Sequence, residues 1–459
     1  MDLKLFLQST DPNEILGSFT SILSSSKIKK SDPKFYTQTK RLLSSKSKRI
    51  KDLYQTLDEK YNATERRKDQ LPVFIVGSNE IAGLRMAIEA ALLGCQVTCV
   101  NSSSSKQKSN NRYHLSSWCV DELTSLGAAR NDLLGKDFFQ IETNQIHVVL
   151  LRACLLLGVD VDFDCTYLHS TKKSNEIYSA TIKPKKSTIN CDYKVLIDAS
   201  SIDSKMSPFK ECKFDALKGE PIIAVTCIAA VAATTTTSIM STSEFSWNRI
   251  TNPKLFTTLD TQGYNGLQHI RYLQNAASHH IYMKMNTKLN ESEVSNILTF
   301  FGLQSNTCSL KYEITYTTTA PFRSMQAMKT MGKSTNGTED GCLVLLCGNA
   351  LSSTSIESEN YLLVDWLSIL DNGAILTAIA TLNDNKQIQS LIEYRQLLWS
   401  YQQKIMTHPN QMGHLLLLGS DMQNSNGGTG SNSSSGGNLN SRNIALKRST
   451  PKTRYVNFN

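Results

Sequence analysis

At 459 residues and 40% hydrophobic content, the chain is long enough for two or three domains with a sizeable core, which excludes a disordered or fibrous protein. Its formal net charge of +9 is concentrated in residues 27–68, which hold 14 Lys/Arg against 5 Asp/Glu, while the rest is close to neutral. The 11 cysteines show no Cys-x-x-Cys spacing and no complementary His pair; this excludes a zinc module and fits free thiols in a reducing, cytoplasmic setting.

Residues 1–70 read as basic helices, with Asp11-Pro12 as a helix start and Leu42, Leu43, Leu53 and Leu57 as apolar contacts. Such a segment suits an acidic partner, whether a protein filament, a nucleic acid or an anionic membrane; it equally suits a solvated helical face. Residues 71–215 open with Val73-Phe-Ile-Val-Gly77, a buried parallel strand ending in glycine. Leu84, Ala87, Ile88, Ala91 and Leu92 then share one helix face, Gly94 ends that helix, and Val97 to Val100 is a second strand.

A dinucleotide site needs Gly-x-Gly-x-x-Gly between such a strand and helix. Here the turn is Gly77-Ser-Asn-Glu-Ile-Ala-Gly83. With Gly77, Asn79 and Ala82 in the three glycine places, the middle one carries a side chain; with Gly83 as the last, the turn has one residue too many. Either way a side chain stands where backbone should approach a pyrophosphate. Glu80 adds a negative charge near the helix N-terminus, or simply caps the helix.

Val120 to Leu126 and Gln145 to Leu157 read as helices, Val159 to Tyr167 as an alternating strand, and Tyr178 to Ile182 and Tyr193 to Ile197 as further strands. Residues 216–338 read as a second, sheet-bearing domain, with strand-like runs at Ile222 to Ala230, His279 to Met285 and Tyr312 to Thr318. In residues 339–410 the all-apolar patterning of the first domain returns, with Gly341 to Gly348 as a central parallel strand, then helices at Tyr361 to Leu382 and Ile388 to Met406. Residues 411–459 form a tail with a flexible Gly/Ser/Asn-rich insert at 424–440. Met1-Asp-Leu-Lys does not read as a signal peptide. The longest charge-free stretch, Pro221 to Ser243, has an apolar part too short to span a bilayer. The basic arm lacks the interleaved aromatics of a base-stacking surface, so no specific nucleic-acid binding is expected.

An ordered set of segments carries a resemblance. Phe74-Ile-Val-Gly77, Gly83-Leu-Arg-Met-Ala-Ile-Glu89, Leu93-Gly-Cys-Gln-Val97, Asn110-Asn-Arg-Tyr-His-Leu115, Leu155-Leu-Leu-Gly-Val-Asp-Val161, Tyr394-Arg-Gln-Leu-Leu398 and Thr453-Arg-Tyr-Val-Asn-Phe-Asn459 are similar to the flavin monooxygenase domain of the MICAL family, whose members oxidise methionines of actin filaments using FAD and NADPH. The resemblance implies an α/β, FAD-dependent monooxygenase-like fold: a Rossmann-type parallel sheet, an inserted sheet-bearing substrate domain and N-terminal helices. It implies FAD as cofactor, NADPH if the protein is active, and actin or another cytoskeletal protein as partner. Carried over residue by residue, the cofactor-binding positions are Gly77, Asn79 and Gly83 in the turn, Arg85 after it, Asn101 ending the second strand, Asn111 and His114 in the following loop, Tyr167 and Tyr272 as aromatics, and Asn349 after the late strand.

The departures from the family pattern point one way. The ribose-binding acid is Asn101, and a basic residue two places on is Ser103. An Asp-Gly pair is replaced by Ser200-Ser201 beside Asp198, and a Gly-Asp pair is Gly348-Asn349. The turn that follows, Ser352 to Glu359, has neither glycine nor proline. Tyr167 and Tyr272 serve equally well as packing residues. The reading is therefore a divergent domain with eroded FAD motifs, a weak or inactive enzyme that acts by binding actin or a cytoskeletal partner. The alternative is an active FAD- and NADPH-dependent monooxygenase; no catalytic side chain or metal ligand is assigned.

Overall fold

A computed structural model describes residues 2–30, 32–64, 66, 69–101, 112–115, 117–128, 139–174, 177–183, 189–200, 214–215, 223–230, 243–249, 252–274, 278–285, 291–300, 312–318, 322–323, 327–329, 332–333, 339–340, 343–351, 361–381, 390 and 393. Four helices open the chain: α1 (Asp2–Gln8), α2 (Pro12–Ser26), α3 (Phe35–Ser44) and α4 (Lys48–Ala63). The expected start at Asp11-Pro12 is found. The Asp11 carboxylate accepts the Asn13 N–H at 2.8 Å, and Pro12 sits in the first turn, where a missing N–H leaves no helix bond unmade.

Next comes the β-α-β unit: β1 (Pro72–Val76), α5 (Ile81–Leu92) and β2 (Gln96–Asn101). β1 and β2 run parallel, from Pro72 opposite Gln96 to Val76 opposite Val100. Then follow β3 (Arg112–Leu115), α6 (Ser117–Ser125), β4 (Phe139–Glu142), α7 (Thr143–Leu156), β5 (Asp160–Ser174), β6 (Ile177–Lys183), β7 (Ile189–Tyr193) and β8 (Val195–Asp198). The single strand expected from Tyr193 to Ile197 is two. β7 pairs antiparallel with β6, whereas β8 lies parallel to β1, and the chain changes partner at Lys194.

The second half holds β9 (Phe214–Asp215), β10 (Ile223–Ala230), β11 (Ser243–Asn248), α8 (Pro253–Thr261), β12 (Leu267–Gln274), β13 (Ser278–Met285), α9 (Glu291–Phe300), β14 (Tyr312–Thr318), β15 (Phe322–Arg323), β16 (Ala327–Lys329), β17 (Gly332–Lys333), β18 (Glu339–Asp340), β19 (Leu343–Leu346) and α10 (Tyr361–Thr381). The helix expected at Ile388 to Met406, the insert at 424–440 and the matching segments at 394–398 and 453–459 lie outside the described residues.

One sheet has eight strands in the order β16-β19-β8-β1-β2-β5-β6-β7. Its five central strands, β19 to β5, are parallel, and β16, β6 and β7 are antiparallel additions. A second, antiparallel sheet has the order β11-β12-β13-β10-β14. The alternation of β1 divides the packing. Val73 and Ile75 join a core formed with α5, α7, α10 and the N-terminal helices. Phe74 and Val76 face the other way, onto Val100, Leu196, Val344, Cys165, Ala180, Ile182 and Tyr193. Every residue of α5 is buried, because helices cover the side that does not face the sheet. No helix among the described residues is long and apolar enough to cross a membrane.

Candidate functional site

The turn between β1 and α5 lies at the C-terminal edge of the parallel strands, between the ends of β2 and β8, where open α/β sheets bind ligands. Two glycines shape it. Gly77 has φ +133°, and a Cβ there would stand 2.7 Å from Ala199 O. A Cβ on Gly83 would stand 2.1 Å from Gly77 O. Gly83, not Ala82, is therefore the point where helix and strand approach most closely. The turn carries one residue more than Gly-x-Gly-x-x-Gly. Ala82 makes a different contact, with Gly348 after β19, where a Cβ would fall 2.3 Å from the Ala82 Cβ.

The polar groups of the turn are largely committed within the protein. Gly77 N–H and Ser78 N–H both donate to Val100 O, at 2.7 and 2.9 Å, and Glu80 N–H donates to Gly77 O at 2.9 Å. Ser78 Oγ donates to Asp162 O at 3.0 Å. Ser78 O accepts from His147 Nε2 at 3.0 Å, which requires the proton on that nitrogen. Burial lowers the His147 pKa, against the bond to the Ser78 carbonyl that raises it.

The first i−4 bond of α5 is Leu84 N–H to Glu80 O, 3.2 Å, so the amides of Ile81, Ala82 and Gly83 form its positive end. Two carboxyl groups stand there. Glu80 occupies the N-cap without a side-chain capping bond. Asp365, from α10, is 3% exposed, and its Oδ2 lies 4.0 Å from the Cβ position of Gly348. Burial first, and Glu80 second, push the Asp365 pKa well above the ordinary carboxylate range.

The candidate positions fall in several places. Gly77, Asn79 and Gly83 form the turn, with Asn79 partly exposed. Asn101 is buried at the end of β2, and its Nδ2 reaches Phe163 O on β5 at 3.4 Å. Arg85 points into the helical layer. Its Nη1 is 2.9 Å from Glu89 Oε2, and its Nη2 is 3.2 Å from Glu122 Oε2 on α6. Glu122 also holds Lys60 of α4 at 2.9 Å. Burial pulls the Arg85 pKa down, but Glu89 and Glu122 more than offset it and leave it raised. Asp198 is fully buried at the end of β8, its Oδ1 accepting Ser200 N–H at 2.9 Å and Ser200 Oγ at 2.5 Å.

Tyr167 lies on the sheet face away from α5. Its ring is 6.1 Å from Phe74 and its hydroxyl is 2.8 Å from Ser170 Oγ. The Tyr272 backbone lies in the second sheet, opposite Phe245 and Ile281. His114 is on β3, paired with Gln140. Asn349 follows Gly348 in a single 3-10 turn after β19, on the same sheet edge as the Gly77 turn. Asn111 and the side chains of His114, Tyr272 and Asn349 lie outside the described residues. No group of three or more His, Cys, Asp or Glu among the described residues is arranged to hold a metal ion.

Sequence reasoning misses His147 and Asp365. Each is a lone titratable residue in an apolar helical run, Ile146-His-Val148 and Val364-Asp-Trp366. That isolation is the available signal, since an ionisable group on a buried face needs a partner or a reason.

No protein-family model matches the chain. It is 27% identical over 229 residues to the F-actin monooxygenase mical1 of Danio rerio, a match covering 48% of this chain and 18% of that protein. It is 30% identical over 132 residues to human F-actin monooxygenase MICAL1, covering 28% and 12% respectively. The matched segments thus span less than a fifth of those relatives. Among solved structures it is similar to the flavin-dependent brominase Bmp2, with TM-score 0.50, 12% identity, and coverage of 75% of this chain and 92% of that one. A variant of the same brominase gives TM-score 0.51 at 14% identity, covering 77% and 91%. The chain shares the overall fold of this flavin-dependent brominase.

Proposed function

We propose that this chain keeps a flavin monooxygenase fold, binds FAD weakly or not at all, and works by binding an acidic protein surface through its N-terminal helices. One observation carries the first part: the turn that should cradle the pyrophosphate spends its Gly77, Ser78 and Glu80 amides on Val100 O and Gly77 O. Asn79 and the extra residue add bulk at the same turn, and Asn101 directs its amide to Phe163 O. Such a site does not fit a dinucleotide, so no catalytic step through a flavin is assigned. Each lost contact to a charged phosphate or ribose group weakens binding by about 1–3 kcal/mol, and three or four together by several powers of ten.

The second part rests on the α3–α4 hairpin. Residues 41–51 hold five Lys/Arg and no acid, and Arg41, Lys46, Lys48, Arg49 and Lys51 are exposed. Lys48 and Arg49 stand in the first turn of α4, where the helix dipole disfavours cations, and Ser47 makes no capping bond there. Burial, with Arg49 second, lowers the Arg152 pKa to about 10, so positive charge converges on this spot. A protein shaped only for stability would place acids at that helix start. F-actin, the target in the relatives' names, or another acidic cytoskeletal protein is the partner such a surface suits.

Co-sedimentation with actin filaments tests this reading. Binding is expected at low salt, weakening as ionic strength rises, and lost in a Lys46→Glu/Lys48→Glu/Arg49→Glu variant that remains folded. Equal pelleting of that variant and the wild type would overturn it. Bound FAD that NADPH bleaches would instead establish the active-monooxygenase reading, which the sequence similarity supports.

A further inference from the structure

Resting on the reading that FAD is not held tightly, we infer that Ser78 and His147 form a latch that holds the β1–α5 turn closed, so that a dinucleotide must open the turn before it can bind. Ser78 is fully buried, and each of its polar atoms is committed to a different element. Its N–H donates to Val100 O of β2 at 2.9 Å, and its Oγ donates to Asp162 O of β5 at 3.0 Å. Its O accepts from His147 Nε2 of α7 at 3.0 Å. Burial favours the neutral form of His147, which has a single N–H, and Ser78 O takes it. The His147 ring lies 5.6 Å from that of Phe163, so the donor is held against the same strand that Ser78 Oγ reaches.

The pairing of β2 with β5 supplies the anchor. Val100 lies opposite Asp162 but Asn101 lies opposite Thr166, so the register shifts between them. A bulge of this kind disrupts the ladder locally, and the carbonyls beside it need other donors. Asp162 O takes Ser78 Oγ, and Phe163 O takes Asn101 Nδ2 at 3.4 Å. Side chains thereby tie the turn and the end of β2 to the same two residues of β5. For the Ser78–Asn79 peptide to turn toward a pyrophosphate, Ser78 must leave these buried partners together, and each would be stranded. The open turn is a minor state, and the apparent affinity of a ligand that needs it falls in proportion to the fraction open.

The bulk of Asn79 and the extra turn residue offer a rival, purely steric cause, and the two separate by mutation. FAD is titrated into the wild type, Ser78→Ala, His147→Ala, His147→Gln and Asn79→Gly, with quenching of flavin fluorescence as the readout and circular dichroism as the check on folding. Hydrogen exchange of the Gly77 to Glu80 amides, followed by nuclear magnetic resonance without FAD, reports the opening itself. Ser78→Ala and His147→Ala should each bind FAD on the order of tenfold tighter than the wild-type value or limit, and exchange these amides on the order of tenfold faster. His147→Gln keeps a donor for Ser78 O and should behave as the wild type, and Asn79→Gly should change the affinity by less than about threefold. No gain in folded Ser78→Ala and His147→Ala overturns the inference and leaves the weak binding of FAD standing as steric. Turn amides that exchange in the wild type as fast as in an unstructured chain overturn it without any variant. Tight FAD binding by the wild type overturns the inference together with the reading on which it rests.

Discussion

Replacing Gly83 by alanine should destabilise the protein more than its chemistry suggests. An added Cβ would lie 2.1 Å from Gly77 O and 2.8 Å from Gly77 C, both backbone atoms of the turn. Ordinary carbon–oxygen contact is more than an ångström longer, so α5 must withdraw from the sheet or the turn must reopen. α5 cannot slide freely, because all its residues are buried between sheet and outer helices. Overpacking of this kind costs about 3 kcal/mol or more, and the gain in helix propensity returns at most about 1 kcal/mol, leaving a net loss of about 2–3 kcal/mol. Gly17 is the matched control. It lies in α2 on an exposed face, with nothing within 4 Å of its Cβ position, so Gly17→Ala should stabilise by about 0.5–1 kcal/mol. Urea denaturation followed by far-ultraviolet circular dichroism compares the two variants. If Gly83→Ala proved as harmless as Gly17→Ala, the close approach of helix to strand, and with it the assignment of Gly83 as the packing glycine, would be refuted.

Other expectations concern the groups around that turn. Arg85→Leu should cost about 3–5 kcal/mol by removing the cation 2.9 Å from the buried Glu89 carboxylate, and Arg85→Leu/Glu89→Leu should recover much of it in a double-mutant cycle with Glu89→Leu; additive losses would sink the coupling. His147→Ala leaves Ser78 O without that donor and should cost about 1–2 kcal/mol in the same denaturation assay; no change would mean the bond is idle. Asp365 has its folded pKa raised above the ordinary value, so the folded state holds the extra proton and stability falls as pH rises from the ordinary carboxylate range toward that raised value. Asp365→Asn, which keeps Glu80 and Cys347 as neighbours, should therefore gain on the wild type as pH rises from 4 to 7; parallel urea-midpoint profiles would contradict this.

Much of the fold is legible in the sequence because it rests on periodicity. The β1-α5-β2 unit follows from Val73-Phe-Ile-Val76 and the spacing of Leu84, Ala87, Ile88, Ala91 and Leu92, patterns that only a buried strand and an amphipathic helix satisfy. The break at Lys194 is not legible, since Tyr193 and Val195 are both apolar and only their different strand partners separate β7 from β8. The two readings of the glycine turn are equivalent in sequence. Gly83 is distinguished from Ala82 only by what lies opposite, Gly77 O in one case and Gly348 in the other. Arg85 follows the turn in sequence, yet a helix carries successive side chains around its axis, and residue 85 faces Glu89 one turn on and Glu122 across the layer. Asp365 is remote in sequence from Gly348, whose Cβ position lies 4.0 Å from its Oδ2, so the sequence does not bring the two together.

The central claim, that the flavin monooxygenase fold persists while its cradle for FAD is spent, is tested most directly by the visible absorption spectrum of the purified protein with and without saturating FAD. The account predicts a folded protein that carries no flavin and retains none after gel filtration. A flavin spectrum that survives gel filtration and is bleached by NADPH would contradict it, and would show that the turn from Gly77 to Gly83 still cradles a pyrophosphate despite its internal hydrogen bonds.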